Sequence, residues 1–351
     1  MTGVAAPFRK ATLQEVSLAA GVSTATVSRF LNDRDSVSDK TQARVQAAID
    51  RLGYVSNGLA RALASRRSMT MGVMVPSLSS QVAARTLDAF RARLYTANYG
   101  VLLSSYSHER DAAVDATRRL LEREVDGLLV IGGGTHPDML ELVERHGKPF
   151  VVTWKPPGPD GPPFICYDHA AASALMARHL LDLGHRRFGF LMGDARYNLR
   201  FAERLDAARA PIEAAGAAIA PHHVGVAAQT DWVEGRRAAA AILDAPGPRP
   251  TAIIAVNDIL AAAGIVECQS RGIRVPEDVS IGGNGDSDLA QSFEPSITTV
   301  TVPKEVIGWE AADYLIRSLA GGVPGPSRLL DIGLAVRAST APPPVASART
   351  P

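Results

Sequence analysis

From residue 71 onward the sequence sets short, uninterrupted apolar runs at regular intervals: "MGVMVP", "YGVLLSSY", "GLLVIGGG", "PFVVTW", "RFGFLMG", "TAIIAVND", "VSIGGNG" and "ITTVTV". Stretches of helical length and composition lie between them, among them 81–97, 110–124, 170–184, 200–216, 232–245 and 258–272. A strand that is apolar on both sides has no face to offer water. It belongs in a parallel sheet covered by helices on both surfaces. There are too many such units for one compact sheet, so the expectation is two α/β lobes. Ligands of such sheets sit at the strand carboxyl ends, here in a crevice between the lobes.

The first 55 residues read differently. In "TLQEVSLAAGVSTATVSRFLN", Leu13, Val16 and Ala20 share one helical face. Gly21 can take the left-handed conformation that ends a helix, and Ser23 suits the N-cap of the next one. Val27 and Leu31 give that second helix a buried side, leaving Thr24, Ala25, Thr26, Ser28 and Arg29 mostly outside. This pattern predicts a helix-turn-helix whose second helix offers short polar side chains and one Arg to a major groove; a plain helical hairpin with a solvated face is the alternative. A third helix follows, with Ser38 as its N-cap, Val45, Ala48, Ile49 and Leu52 as its stripe, and Gly53 as its end.

Charge supports the division. The net charge of the chain is only +1, but residues 1–67 hold ten Lys and Arg against five Asp and Glu, a local excess of +5. A basic head on a mildly acidic body suits contact with an anionic polymer. No run of roughly 18 apolar residues occurs, so no membrane span is expected. The start, "MTGVAAPFRK", lacks the apolar centre of a secretory signal, and Cys166 and Cys268 stand far apart without metal spacing. A reduced, cytoplasmic setting is the natural expectation. No Gly-rich phosphate loop or catalytic triad spacing appears, so neither an enzyme nor a cofactor is expected. The paired His222 and His223 read as a surface pair.

Eight segments together resemble the lactose-repressor (LacI/GalR) family of bacterial transcription regulators: "TLQEVSLAAGVSTATVSRFLN", "VSDKT", "GYVSN", "LARALA", "HLLDLGHRRFGFLMG", "AVNDILAAAGI", "RGIRVPEDVSI" and "PSITTV". They occur in family order from about residue 11 to 338. The resemblance implies a helix-turn-helix head over 1–56, a hinge helix over 57–68, and a two-lobed body over 69–339 like a periplasmic binding protein. A disordered Pro-rich tail is expected over 340–351. The implied partners are operator DNA, a small-molecule effector and a second copy of the chain. The tail carries no Leu heptads, so a dimer is expected rather than a tethered tetramer. A periplasmic-type sugar receptor would share the body but have no use for the basic head.

By this resemblance Thr24, Ala25 and Arg29 fall where the family's recognition helix meets base edges, and Arg29 could pair with guanine O6 and N7. Thr12, Leu13, Ser23, Thr26, Ser28, Asn32, Ser38, Thr41, Tyr54, Asn57 and Ala60 fall at supporting or phosphate-contacting positions. Leu63 matches the hinge leucine that wedges into the minor groove. Ser56, where many relatives have Pro, and Gly58 inside the hinge both make that helix less ready to form. In the body, Arg204 falls at the family's effector-binding Arg, Asn257 at a polar strand-end position and Trp232 at an aromatic pocket wall. Trp154 ends the fourth strand, and Ser80 lies near the first-strand loop. "GGNGDSDLA" puts Gly285 where a ligand carboxylate is usual, with Asp286 as the substitute. "THPDMLE…KPFVVTW", with "GNGD" near "PSITTVTVP", is similar to the gluconate-repressor branch. An Arg without an opposing carboxylate suits an anionic effector, a sugar acid such as gluconate.

Overall fold

The computed structural model describes residues 10–55, 67–76, 81–106, 110–132, 137–153, 161–196, 198, 200–322 and 325–344. Two compact units divide the chain, Met1–Met69 and Thr70–Pro351. Asn57, Ala60 and Leu63, with all but the last two residues of the expected hinge, lie outside the described residues, as do Ser80 and Trp154.

In the head, α1 (Leu13–Ala20), α2 (Thr24–Asn32) and α3 (Asp39–Leu52) enclose a small core of Val16, Ala20, Val27, Phe30, Val45 and Ala48. The start of α1 is held by a reciprocal cap: the Glu15 amide donates to Thr12 Oγ1 at 3.2 Å, and the Thr12 amide donates to Glu15 Oε2 at 2.8 Å. Gly21 closes α1 at φ +60°, and Gly53 closes α3 at φ +56°. The turn between α1 and α2 is tied to α3 by Arg44, whose Nη2 donates to the Gly21 carbonyl at 2.9 Å. One sequence expectation changes here. Phe30, not Leu31, is the buried partner of Val27; Leu31 is half-buried at the edge of that core.

In the body, the first lobe alternates β1 (Thr70–Val75), α4 (Gln81–Tyr95), β2 (Gly100–Ser105), α5 (Arg110–Glu122), β3 (Gly127–Ile131), α6 (Pro137–Arg145) and β4 (Phe150–Thr153). Its strands pair in parallel in the order β2-β1-β3-β4. A single parallel bridge, Val152 to Phe164, leads on to β5 (Ile165–Tyr167).

The chain then crosses to the second lobe through α7 (His169–Asp182), β6 (Arg187–Gly193), α8 (Arg200–Ala214), β7 (Ala218–Ala227) and α9 (Trp232–Leu243). It continues through β8 (Ala252–Ala255), α10 (Asp258–Ser270), β9 (Ser280–Asn284), the short α11 (Asp288–Ser292) and β10 (Thr298–Thr301). After β10 it returns to the first lobe as α12 (Lys304–Leu319), which packs along α4. The last strands are split between the lobes. β11 (Arg328–Leu330) lies parallel to β5, and β12 (Gly333–Ala335) lies antiparallel to β10. The second sheet has the order β12-β10-β9-β8-β6-β7, parallel except for β12. Three chain crossings thus join two sheets whose central strands (β1, β3, β6, β8, β9) are apolar and buried, as the apolar runs imply, while the edge strands β2, β7 and β12 are partly exposed.

Two further expectations are corrected. The tail expected to be disordered from 340 is packed through its first residues. Thr340 Oγ1 bonds to Thr298 Oγ1 at 2.8 Å, and the Ala341 carbonyl accepts from His185 Nε2 at 2.8 Å and from Ser280 Oγ at 3.0 Å. The Pro-rich composition hides these anchors, because Pro343 can still pack beside Gly184 without any backbone donor. Nor are His222 and His223 a surface pair. They lie within β7, and alternation of side chains buries His223 while leaving His222 exposed.

Candidate functional site

The head presents one coherent outer face. On α2, Val27 and Phe30 point into the core, which turns Thr24, Ala25, Arg29 and Asn32 to solvent. Thr26 and Ser28 are half-buried beside them. Ser23 caps α2 by accepting the Thr26 amide at 3.1 Å, and its hydroxyl also meets Thr26 Oγ1 at 2.9 Å. Ser38 occupies the N-cap position of α3 and bonds to Thr41 Oγ1 at 3.0 Å. Thr12 is engaged in the cap of α1, while Leu13 and Tyr54 are half-buried against the head core. Ser23, Ser38 and Thr12 cap or brace their helices, while Thr24, Ala25, Arg29 and Asn32 of α2 remain exposed.

In the body, the anticipated second-lobe residues follow the carboxyl ends of successive strands: Arg204 after β6, Trp232 after β7, Asn257 after β8 and Asp286 after β9. Several helix N-termini meet them there, which makes the region electropositive before any side-chain charge is added. The facing lobe brings its own strand ends. Tyr106 follows β2 and donates to the Ile131 carbonyl at 3.0 Å, Gly132 follows β3, and Tyr167 ends β5.

Arg204 is the best-defined member. It is only 9% exposed. Its Nη1 donates to the Val256 carbonyl at 2.7 Å, and its Nη2 reaches the Tyr167 hydroxyl at 3.5 Å and His169 Nδ1. None of these partners is a carboxylate, and among the described residues the buried Nε has no hydrogen-bond partner. A guanidinium only donates, so in this contact the acceptor is His169 Nδ1. The Tyr167 ring lies 4.2 Å from that imidazole, and burial pushes its phenol upward from its ordinary range.

The other three anticipated residues are differently placed. Asn257 caps α10, its Oδ1 accepting the Leu260 amide at 2.8 Å, which leaves its amide N–H groups and one acceptor site of Oδ1 for a ligand. Trp232 opens α9, 38% exposed, with its ring against Phe293 at 6.2 Å between centroids. Asp286 is paired with Arg337 Nη2 at 2.6 Å. Its neighbour Gly285 has φ +126°, and a Cβ there would come within 2.9 Å of Val82 in the facing lobe. The backbone therefore leaves no place for a carboxylate at 285.

Sequence reasoning misses several residues that the fold brings to this cleft: Tyr106, Tyr167, His169, Arg200 and Asp258. Asp258 is 2% exposed, accepts from Thr299 Oγ1 at 2.6 Å and the Ser287 amide at 2.7 Å, and burial raises its carboxyl above the usual range. It fastens the 285–287 turn to α10. In sequence it reads only as an acid in a helix first turn. Arg200 left a signal, since it stands one helical turn from Arg204 just after a strand end.

Among the described residues no group of three or more His, Cys, Asp or Glu side chains could hold a metal ion. Cys166 and Cys268 are free and buried, and burial pushes both thiols up to about 12. No helix of the described residues is long and apolar enough to cross a membrane.

A three-helix head with one exposed polar helix face and a two-lobed body with a polar cleft define the class. Residues 12–57 match the model of bacterial regulatory proteins of the lacI family, and residues 177–340 match a periplasmic binding protein-like domain. The chain is 32% identical to the HTH-type transcriptional repressor PurR of Photobacterium profundum over 317 residues, 87% of this chain and 91% of that one. It is 28% identical to the HTH-type transcriptional regulator GntR of Escherichia coli (strain K12), over 93% of this chain and 96% of that one. A crystal structure of the lac repressor dimer, bound to operator and the anti-inducer ONPF, superposes with a TM-score of 0.81 at 25% identity, covering 95% of this chain and 100% of that one. The chain belongs to the LacI family. It is a DNA-binding, effector-responsive transcriptional regulator and not an enzyme, and the receptor alternative falls with the match of its head.

Proposed function

We propose that this protein is a cytoplasmic repressor that binds a near-palindromic operator as a homodimer and answers to a small hydroxylated acid, an aldonate such as gluconate. In this reading two heads (1–56) dock in successive major grooves, with Thr24, Ala25 and Arg29 at base edges. Hinges over 57–68 meet at the operator centre, where Leu63 enters the minor groove. The body holds the acid between its lobes. Arg204 pairs with its carboxylate, Asn257 with its hydroxyls, and Trp154 and Trp232 cover its carbon chain, while Ser80 and Asp286 line the rim.

One observation carries the choice of an acid: Arg204 is buried at the strand ends, and none of its hydrogen-bond partners is a carboxylate. A buried cation without a countercharge is costly, and an anionic ligand removes that cost as it binds. Calorimetry tests it. Gluconate and close aldonates should bind the full-length protein, the matching neutral sugars should not, and Arg204→Ala should abolish binding. Tight binding of a neutral sugar or a purine, unaffected by Arg204→Ala, would overturn the effector while leaving the DNA-binding role intact.

A further inference from the structure

Thr153 ends β4 with its side chain wholly buried, and among the described residues its Oγ1 has no hydrogen-bond partner. The backbone there is satisfied, since the Thr153 carbonyl accepts the Gly132 amide at 3.2 Å. A buried hydroxyl is ordinarily bonded, because one left unmet bears the full cost of leaving water. Valine would fill the same space without that cost, and Val151 and Val152 precede it in the strand. A partner from outside the fold would meet the hydroxyl.

Alternation along the strand gives the direction of this side chain. Thr153 lies in register with Ile131, and Val151 with Leu129. Ile131, Leu129 and Val151 pack in one cluster with Ile165 and Tyr167 of β5, while Val130 and Val152 pack on the opposite face. The parallel bridge from Val152 to Phe164 brings β5 alongside, so Thr153 stands on the face that Tyr167 occupies. Tyr167 is also the first-lobe hydroxyl that Arg204 Nη2 reaches at 3.5 Å from the second lobe. Arg204 in turn keeps its buried Nε without a hydrogen-bond partner among the described residues. Each lobe thus holds one unmet buried polar atom, and Tyr167 shares a sheet face with the first and a contact with the second.

We infer that Thr153 is an effector contact: its hydroxyl bonds to a hydroxyl of the sugar acid whose carboxylate Arg204 holds. One small ligand then joins the end of β4 in the first lobe to the helix after β6 in the second. This rests on the reading of the cleft as an acid site and adds to it a specificity-determining residue in the facing lobe. A threonine hydroxyl both donates and accepts, so it can serve an alcohol group without setting a negative charge against the acid. Contact with both lobes gives the ligand the difference in affinity between open and closed forms that it needs to shift their equilibrium.

The test is calorimetry on the full-length protein with gluconate, galactonate and glucose, repeated on Thr153→Val and Thr153→Ser, with thermal melts of each protein free of ligand. The Val variant should bind the acid about tenfold more weakly, the worth of one hydrogen bond. It should nevertheless melt at or above the parent, because it loses an unmet hydroxyl and no bond. The Ser variant, which restores the hydroxyl, should keep most of the parent's affinity. A Val variant that binds the acid as tightly as the parent would overturn the inference, as would one that melts lower or fails to fold, since the hydroxyl would then serve the fold. The acid site would still stand in those cases on acid binding that Arg204→Ala abolishes. Binding of glucose and of neither acid would overturn the acid site, and the affinity of the Val variant for glucose would then decide Thr153 by the same measure. Binding of none of the three by the parent protein would overturn both.

Discussion

Arg29 stands on the exposed face of α2, and under the proposed docking a base edge would replace the water around its guanidinium. Such a side chain adds little to folding and can be removed without disturbing Val27 or Phe30. Arg29→Ala should therefore leave the melting temperature of the head unchanged. It should cost roughly 1–3 kcal/mol on the cognate site and relax one base position in each half-site. Binding selection with the variant checks this, and an unchanged motif at unchanged affinity would show that α2 is not the reading helix. Arg204 is the opposite case, since its burial commits it to the cleft whether or not ligand is present. Sequence alone distinguishes such residues only in part. Arg204, Trp232, Asn257 and Asp286 are singled out by the family resemblance; only Arg204, Asn257 and Asp286 also follow an apolar run that can be read as a strand, since the strand before Trp232 is interrupted by polar residues. Asp286 nevertheless spends its carboxylate on Arg337, a partner 51 positions away that no local pattern reveals. His169 and Tyr167 join the site only because β5 carries the chain from one lobe to the other.

The elements that the sequence displays most clearly are those with one uniform environment. Buried parallel strands appear as apolar runs, and the helices expected over 81–97, 110–124, 170–184, 200–216, 232–245 and 258–272 each form within about two residues of those limits. β7 is hidden because Pro221, His222 and His223 interrupt it. It is tolerated as an edge strand, and the register with β6 shifts between Phe188 and Phe190 to absorb the interruption. α12 is hidden by Gly308, a poor residue for a helix interior. The fold explains that glycine: a Cβ there would stand 2.0 Å from the Thr86 carbonyl and 2.9 Å from the Phe90 amide nitrogen, both backbone atoms of α4. Gly308→Ala should therefore force α4 and α12 apart and destabilise the body by about 1–3 kcal/mol or more, read as a fall in the denaturation midpoint; a variant as stable as the parent would mean that the helices are not in close contact. The docked tail gives a pH-dependent counterpart. His185 donates from Nε2 to the Ala341 carbonyl and is bonded through Nδ1 to Thr251 Oγ1 at 3.0 Å; burial holds it below its ordinary 6.5. Burial acts in the same direction on His179 and His223. A histidine lowered in the folded state binds fewer protons folded than unfolded. Its contribution is fully present above 6.5 and is lost as pH falls through that value towards the folded one. The melting temperature should accordingly drop on acidification through this window, and His185→Gln should make the drop shallower. An equal drop in the variant would assign the effect to other groups.

At the scale of the whole molecule, the body is two sheets joined by three crossings, and its lobes also touch through side chains. Arg85 of α4 pairs with Asp288 of α11, Gln81 Oε1 accepts the Asp288 amide at 3.2 Å, and Lys304 Nζ donates to the Gly285 and Asp286 carbonyls at 3.1 and 2.8 Å. These contacts meet at the turn that Asp258 fastens, so a ligand near Asn257 and Arg204 lies beside the segment on which the lobes bear. Coupling between such a cleft and DNA is a free-energy difference, and it must be reciprocal. The most direct test of the account is therefore fluorescence anisotropy of the full-length protein on a palindromic operator obtained by binding selection, with and without the tightest-binding sugar acid. The account predicts dimeric, sequence-specific binding whose affinity changes about tenfold or more on adding the acid, and an Arg204→Ala variant that binds the operator normally but no longer responds. No preferred operator, or operator binding that the acid leaves unchanged in the parent protein, would contradict it.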